Sequence, residues 1–448
     1  MWASTSIFYH IYPLGLLGVA SKKKAIVTTS SRIKELHSWL IYIKDLGCTS
    51  LLIGPVWESM SHGYDTIDYF KLDKRLGTND DFKLFCEEAK RLGIRLVLDA
   101  VFNHVGRAFW AFKDVQQKKN KSEYITWFSG IDFTQNTPFN DGFKYNSWDE
   151  NYHLVTLNLN NVEVQQHIFK AVSFWVTEFY IDGLRLDAAD VMDKSFFSKL
   201  RLYCDSISTD FWLMGEVVHG EYKDWVSNER LHSVTNYSLH TPLFESLEQG
   251  NYQILSNLIE KQYSAPGYFK TFPLYSFTDN HDVDRAASRL AKAVHLYPLY
   301  GLICMLPGVP AIYYGSELGI PGKRYGLNDK ALRPALRMPE MFKDAPHPDL
   351  RIAIQRFVRI RNSNPALQAG GYKTLYAEGR QYVFKRYNEK SEFIIAVNSS
   401  PAAVELDIKI GEEAAYEDQL EDHSYMVTKG GRLTILIYPN WLRILKRK

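Results

Sequence analysis

The chain has 448 residues, 46% hydrophobic and 14% aromatic, enough for one large domain plus a smaller one. Its formal charge is only +2, and no basic stripe or acidic tail stands out, which argues against nucleic acid or a membrane surface as partner. Four cysteines, Cys48, Cys86, Cys204 and Cys304, lie far apart with no CxxC pair, so they read as free thiols packed as small hydrophobes in a reducing compartment. The opening MWASTSIFYHIYPLG has no basic n-region and no uninterrupted apolar core, so it is not expected to be a signal peptide. The most apolar run, LYGLICMLPGVPAIYYG (299–315), is short for a membrane span and carries two prolines; a buried strand with its loop is expected there. These features predict a cytoplasmic location.

In chain order, short apolar runs alternate with helical patterns. SIFYHIYPL (6–14) is strand-like, and SRIKELHSWLIYIKDLG (31–47) has apolar residues at helical spacing with Gly47 as its stop. A strand follows at 48–57, then a helix at 78–93 with Thr78 as cap and Gly93 as stop, then a strand at 94–104. The alternation resumes with a helix at 162–180, a strand at 181–187, a helix at 194–207 and a strand at 210–216. HSVTNYSL (232–239), FPLYSFTDNHD (272–282) and LICMLPGVPAIYYG (302–315) complete about eight strand candidates. Eight strand–helix units predict a closed parallel barrel of the (β/α)8 TIM type, in two parts over 1–104 and 154–355. Residues 105–153, rich in Trp, Phe, Asn and Asp, break the rhythm as a small domain inserted after the third strand. From 356 to 448 the runs YVFKRYN, SEFIIAVNSS, AVELDIKI and RLTILIYP alternate around turn signals such as KGGR, predicting an antiparallel β domain. The basic end, LRILKRK, reads as a solvated tail.

Charged residues gather at the ends of the strand candidates. In GLRLD (183–187), Arg185 and Asp187 are two apart and share one strand face, the face directed into a barrel. Asp187 ends that strand, where active sites of such barrels lie. A neighbouring guanidinium is expected to keep it ionised, as suits a nucleophile, although a purely structural Arg–Asp pair reads equally well. Glu216 closes the apolar run LMGE, where an apolar surround would suit a general acid. FTDNHD ends with Asp279, Asn280, His281 and Asp282, and VLDAVFNH ends with Asp99, Asn103 and His104. Turn chemistry explains one such end more easily than four.

These four stretches, DAVFNH (99–104), GLRLDAAD (183–190), GEVV (215–218) and FTDNHD (277–282), resemble the four signature regions of the alpha-amylase family, glycoside hydrolase family 13, in the family's order. The resemblance covers nearly the whole chain and implies a catalytic barrel, the insert after strand three and a C-terminal β-sandwich. It implies Asp187 as nucleophile, Glu216 as general acid/base and Asp282 as the third carboxylate, with Arg185 supporting the nucleophile. By the same resemblance His104 and His281 bind hydroxyls of the sugar at the cleaved bond, Asp99 is a polar partner in that pocket, Tyr64 stacks on that sugar and His62 lies beside it. NDKALR (328–333) sets Asp329 four residues before Arg333, which resembles a donor-side sugar-binding pair, while a surface salt bridge is an equal alternative.

The departures are informative. Many family members bind a structural calcium between barrel and insert. Asn103 matches one usual ligand, but Thr156 stands where an Asp is usual, and calcium needs six to eight oxygens. The implied calcium is therefore expected to be absent, with no other cofactor required. Asp190 and Val191 replace the usual Lys-His pair on the leaving-group side. Ala188 after the nucleophile leans to α-1,4 linkages, and Ser61, in place of an acidic residue, to an open cleft. Trp110, Trp148 and Tyr152 are expected as sugar platforms or as the core of the insert. The resemblance implies a retaining hydrolase of α-1,4 bonds in maltodextrins. Alternatives are an oligo-1,6-glucosidase or α-glucosidase, a transglycosylase, a non-catalytic barrel relative, and a phosphosugar hydrolase using Lys323 and Arg324.

Overall fold

The computed structural model describes residues 1–19, 31–264, 267–326, 328–411, 413–421 and 425–448. Eight strands form one parallel sheet: β1 (Phe8–Ile11), β2 (Ser50–Ile53), β3 (Arg95–Ala100), β4 (Gly183–Leu186), β5 (Trp212–Gly215), β6 (Ser233–Val234), β7 (Tyr275–Phe277) and β8 (Val309–Tyr313). Their order in space is β6-β5-β4-β3-β2-β1-β8-β7. Thr235, one residue past β6, bridges Tyr275 of β7, and the Asn236 N–H donates to the Tyr275 carbonyl at 2.8 Å, so the ring closes into a barrel.

Local chemistry accounts for the helices that surround it. Helix α1 (His37–Leu46) ends at Gly47, whose φ of 91° lies in the left-handed region that glycine enters without a Cβ penalty. Thr78 and Asp81 form a reciprocal capping box at the start of α2 (Asn79–Arg91), satisfying two otherwise orphaned N–H groups. Asn161 caps α3 (Val162–Phe179), and Asp193 caps α4 (Lys194–Ile207), both by accepting from backbone N–H groups.

Three expectations change. Residues 232–239 are strand only at β6; Tyr237 already begins helix α5 (Tyr237–Gln249). The run 302–315 is not one strand: α6 (Leu296–Met305) precedes β8. That helix is apolar on nearly every face, because it is packed between the barrel and the C-terminal sheet, so it shows no helical period. Gly301 permits the approach, since a Cβ there would meet Leu442 at 2.7 Å. The LRILKRK end is not a solvated tail. It lies in strand Trp441–Arg447, between strands Glu392–Asn398 and Ala415–Asp418, with Leu442, Ile444 and Leu445 fully buried. Its Arg443 is buried too, and ion pairs to Asp418 at 2.7 Å and Glu421 at 2.6 Å offset that burial.

The C-terminal strands form a six-stranded and a two-stranded antiparallel sheet. Val383, Ile394 and Leu445 of the first face Ile408, Leu433 and Ile435 of the second across an apolar core, a β-sandwich. Its first strand starts at Gly371; the boundary expected at 355/356 falls inside helix α7 (Leu350–Asn362). Segment 105–153 is opened and closed by paired strands His104–Gly106 and Asn151–Thr156, joined by Ser147–Trp148. All four cysteines are buried and free. Among the described residues no helix is long and apolar enough to cross a membrane.

Candidate active site

Register sets the site. Asp99 of β3 lies opposite Arg185 of β4, and Arg185 lies opposite Met214 of β5. Leu186 pairs with Gly215, so the next residues along, Asp187 and Glu216, leave their strands side by side. Neighbouring strands run about 4.8 Å apart. The two carboxyls thus start from adjacent backbones at the C-terminal mouth of the barrel.

Arg185 binds this group together. Its Nη1 donates to both Asp99 oxygens at 2.6 and 2.7 Å and lies 3.4 Å from Asp187, while its Nη2 is 2.6 Å from Glu216 Oε1. The closest partners of the guanidinium are therefore Asp99 and Glu216, not Asp187. This changes the electrostatic expectation. Burial raises the Asp187 carboxyl well above the usual carboxylate range, the charge of Glu216 adds to that rise, and Arg185 only opposes it. Asp99 is raised as well, again by burial against the pull of Arg185. The surround of Glu216 is also more polar than expected. Besides Arg185, its oxygens accept from the Tyr237 hydroxyl and the Ala188 N–H, each at 3.2 Å.

Asp282, on the loop after β7, lies in a second network. His281 Nε2 is 2.9 Å from its Oδ2, and Arg333 Nη2 donates to Oδ1 at 3.0 Å. Burial pushes this carboxyl up, but His281, Arg333 and Arg185 outweigh burial and hold it well below the usual range. Arg333 also pairs with Asp329 at 2.8 Å, donates from Nε to the His281 carbonyl at 3.0 Å and covers the Tyr12 ring. The Asp329–Arg333 pair is thus not a surface salt bridge but a brace from the loop after β8 to Asp282. Tyr64 donates to Asp99 at 3.0 Å and also contacts His281 Nε2, joining the two networks. Its ring lies parallel to those of His281 and Tyr12.

Comparison with known proteins places the chain in a family. The family model described as "Alpha amylase, catalytic domain" matches residues 32–347. The chain belongs to the alpha-amylase family. It is 27% identical over 470 aligned residues to the maltogenic alpha-amylase of Bacillus acidopullulyticus, covering 99% of this chain and 78% of that one. It is 27% identical to the intracellular maltogenic amylase of Bacillus subtilis, covering 83% and 64%. The solved cyclic alpha-maltosyl-(1-->6)-maltose hydrolase of Arthrobacter globiformis shares the fold, with a TM-score of 0.83, 24% identity and full coverage of both chains. Family membership makes the chain a glycoside hydrolase.

Against that background the other candidates separate. His104 is buried, its Nε2 3.9 Å from Asp187 Oδ2 and that nitrogen without a hydrogen-bond partner among the described residues. Burial pushes its imidazole down to about 4, leaving a neutral ring at the reaction centre. His62 is half-buried beside Tyr64, accepting the Tyr64 N–H at 3.3 Å. Asp99 has a fully enclosed side chain, so it reaches a sugar only through Arg185 and Tyr64. Ser61 bonds Asp65 through both N and Oγ within its own loop. Of the insert aromatics, Trp148 has its ring 5.7 Å from that of His104 and is 37% exposed. Trp110 instead joins a ring cluster with Tyr124, Trp127 and His167, and Tyr152 packs on Tyr145. Asp190 accepts the Val218 N–H at 3.2 Å, and both Val191 and Val218 are exposed.

Asn103 and Thr156 stand where the resemblance implies calcium ligands. The Asn103 side-chain Nδ2 lies 3.2 Å from His104 Nδ1 and the Asn103 backbone carbonyl accepts from Leu157 N–H, while Thr156 pairs with His104 in the sheet. Among the described residues no group of three His, Cys, Asp or Glu could hold a metal.

Sequence reasoning missed two contributors. Tyr237 was assigned to a strand, yet its hydroxyl meets both Glu216 and, at 3.1 Å, the Asn280 amide. Ala188 adopts φ 49°, ψ 40°, the left-handed region, which turns its N–H onto Glu216. Such a conformation costs a non-glycine residue about 1–2 kcal/mol and suits a β-branched side chain least. No sequence pattern marks Tyr237, and Ala188 stands out only as the residue after Asp187, not for its N–H.

Proposed function

We propose that the enzyme cleaves α-1,4-glucosidic bonds of maltodextrins with retention at the anomeric carbon. The observation that carries this reading is the side-by-side exit of Asp187 and Glu216 from adjacent strands, since retaining enzymes keep their two carboxyls about 5–5.5 Å apart. Asp187 attacks the anomeric carbon while Glu216 delivers its proton to the departing glycosidic oxygen. Glu216, then a carboxylate, takes a proton from water, whose oxygen attacks the same carbon and releases Asp187. Burial and the charge of Glu216 raise the Asp187 carboxyl, and Arg185, in contact with both carboxyls, opposes that rise. Asp282, held ionised by His281 and Arg333, faces the positive charge that develops on the sugar ring. Tyr64, His62, His104 and His281 hold the sugar; Asp99, Arg185, Asp329 and Arg333 hold the residues that do.

The cytoplasm is the proposed location, on the strength of four buried free thiols and the named intracellular relative. The proposed activity needs no calcium. Incubation with maltoheptaose and with panose, with and without chelator, tests both points. Early maltose and maltotriose, unchanged by chelator, are expected. Cleavage confined to the α-1,6 bond of panose would move the enzyme to the oligo-1,6-glucosidases, products longer than the substrate would make it a transglycosylase, and loss of activity with chelator would overturn the metal assignment.

A further inference from the structure

Tyr12, one residue past β1, takes no part in the reaction proposed above. Its backbone is still extended, with φ −102° and ψ 99°, as suits a residue before a proline. By alternation it follows Phe8 and His10 on the inward face, one step nearer the mouth. The side chain is 4% exposed and its ring is wedged between two glycines. A Cβ on Gly15 would lie 2.9 Å from the ring, and one on Gly54 3.2 Å from it.

From this fixed position Tyr12 reaches three other loops. Its hydroxyl donates to the His62 carbonyl at 2.5 Å, on the loop after β2 that also carries Tyr64. Burial pushes the phenol up to about 12, so the hydroxyl keeps the proton it donates. The ring is tilted only 3° from that of His281, on the loop after β7, with centroids 5.8 Å apart, and 6° from that of Tyr64. The guanidinium of Arg333, on the loop after β8, lies 4.7 Å from the ring centroid, within cation–π range. The same guanidinium donates to Asp282 at 3.0 Å. One side chain thus contacts the loops after β2, β7 and β8 at once.

Tyr9, three residues earlier, shows what a purely structural tyrosine on this strand does. It too is buried, but its hydroxyl donates to Glu317 at 2.8 Å and its ring packs on Trp39 and Tyr42 of α1. Those contacts lie on the outer face of the barrel.

We propose that Tyr12 is a positioning residue with two separable roles: its hydroxyl holds the loop that carries His62 and Tyr64, and its ring holds Arg333 against Asp282. This rests on the glycosidase reading above.

The two roles act on different constants. His62 and Tyr64 hold the sugar before and during reaction alike, so loosening their loop raises KM. Asp282 meets a charge that develops only in the transition state, so loosening Arg333 lowers kcat. Tyr12→Phe removes the hydroxyl and keeps the ring. It is expected to raise KM for maltoheptaose about three- to tenfold, the range one hydrogen bond supports, with kcat within about twofold of wild type. Tyr12→Leu removes both, and is expected to lower kcat as well by about a hundredfold, as for a displacement of about 1 Å at the reacting groups. Tyr9→Phe also deletes one buried hydroxyl; it is expected to lower the melting temperature and leave both constants within about twofold. Melting curves establish that each variant is folded at the assay temperature. A Tyr12→Phe variant with the KM of Tyr9→Phe would overturn the first role, and a Tyr12→Leu variant with the kcat of Tyr12→Phe would overturn the second. Wild-type enzyme that does not turn over maltoheptaose would overturn the glycosidase reading itself, before any variant is compared.

Discussion

At the level of Phe8, Val97 and Met214 the barrel interior is apolar, while two residues further along it holds His10, Asp99 and Glu216. A two-residue step keeps the strand face and changes only the depth. The lower level closes on itself through rings: Trp212 lies 5.3 Å from Phe8 and 6.0 Å from Trp2, and Tyr275 lies 5.5 Å from Phe8. The upper level is held by one guanidinium among three carboxyls, and His104 Nε2 there has no hydrogen-bond partner among the described residues. Apolar packing stabilises without needing a partner in a stated direction. A polar layer is stable only when its partners are complete. Rigidity and reactivity are thus stacked one turn of side chains apart.

Removing one carboxyl from the upper level should separate the two properties most sharply. Asp187→Asn is expected to lower kcat by on the order of 10⁴-fold or more, because the covalent route is lost. The same change removes one of three carboxyls crowded on Arg185, so the variant is expected to melt no lower than the wild type. Activity on maltoheptaose and a thermal melt check both parts; a large loss of melting temperature would mean that the upper level supports the fold as well.

The lower level should respond in the opposite sense. Trp212 is 2% exposed, and Trp212→Ala is expected to cost about 3–5 kcal/mol of stability by leaving a cavity under the site. Denaturant unfolding measures the cost, and kcat of the surviving folded enzyme at low temperature should change far less than in Asp187→Asn. A fall in kcat matching that of Asp187→Asn would mean the two levels are not independent.

The contrast also explains what could be read in the sequence. The strand ends that carry Asp99, Asp187, Glu216 and Asp282 were legible, because a charged residue following an apolar run is an expensive pattern that needs a reason. The capped helices were legible for a similar local reason, as with Thr78 and Asp81. What stayed hidden depends on packing between distant segments. Helix α6 lost its period because both of its sides are covered, by the barrel and by the C-terminal sheet. Arg443 looked like part of a basic tail because its partners, Asp418 and Glu421, come from a neighbouring strand and its turn. The choice of Asp99 over Asp187 by Arg185 follows from the register of β3 against β4, which no pattern within one strand reports.

Acid sharpens the comparison further, with a smaller and more gradual effect. His10 and His104 line the upper level, and His62, His167, His232 and His240 are likewise taken out of water elsewhere. Burial lowers all six: His10 well below the usual value, His62 and His167 downward, His104 and His240 to about 4, and His232 to about 3. The unfolded chain accepts these protons near pH 6.5. Between that value and the lowered ones the unfolded state binds more protons than the folded state. The contribution is therefore whole above about pH 6.5 and is lost as pH falls through the window toward about 4, by about 1.4 kcal/mol per pH unit for each proton of difference. Asp99, Asp187, Glu317 and Asp418, raised by burial, act with the opposite sign, since the folded state holds their protons more tightly. Six lowered imidazoles against four raised carboxyls predict a melting temperature that falls steadily from pH 7 to pH 5. Melting curves across that range test the balance, and a flat or rising midpoint would show that the crowded carboxyls, rather than the neutral rings, dominate the protonation of the folded enzyme.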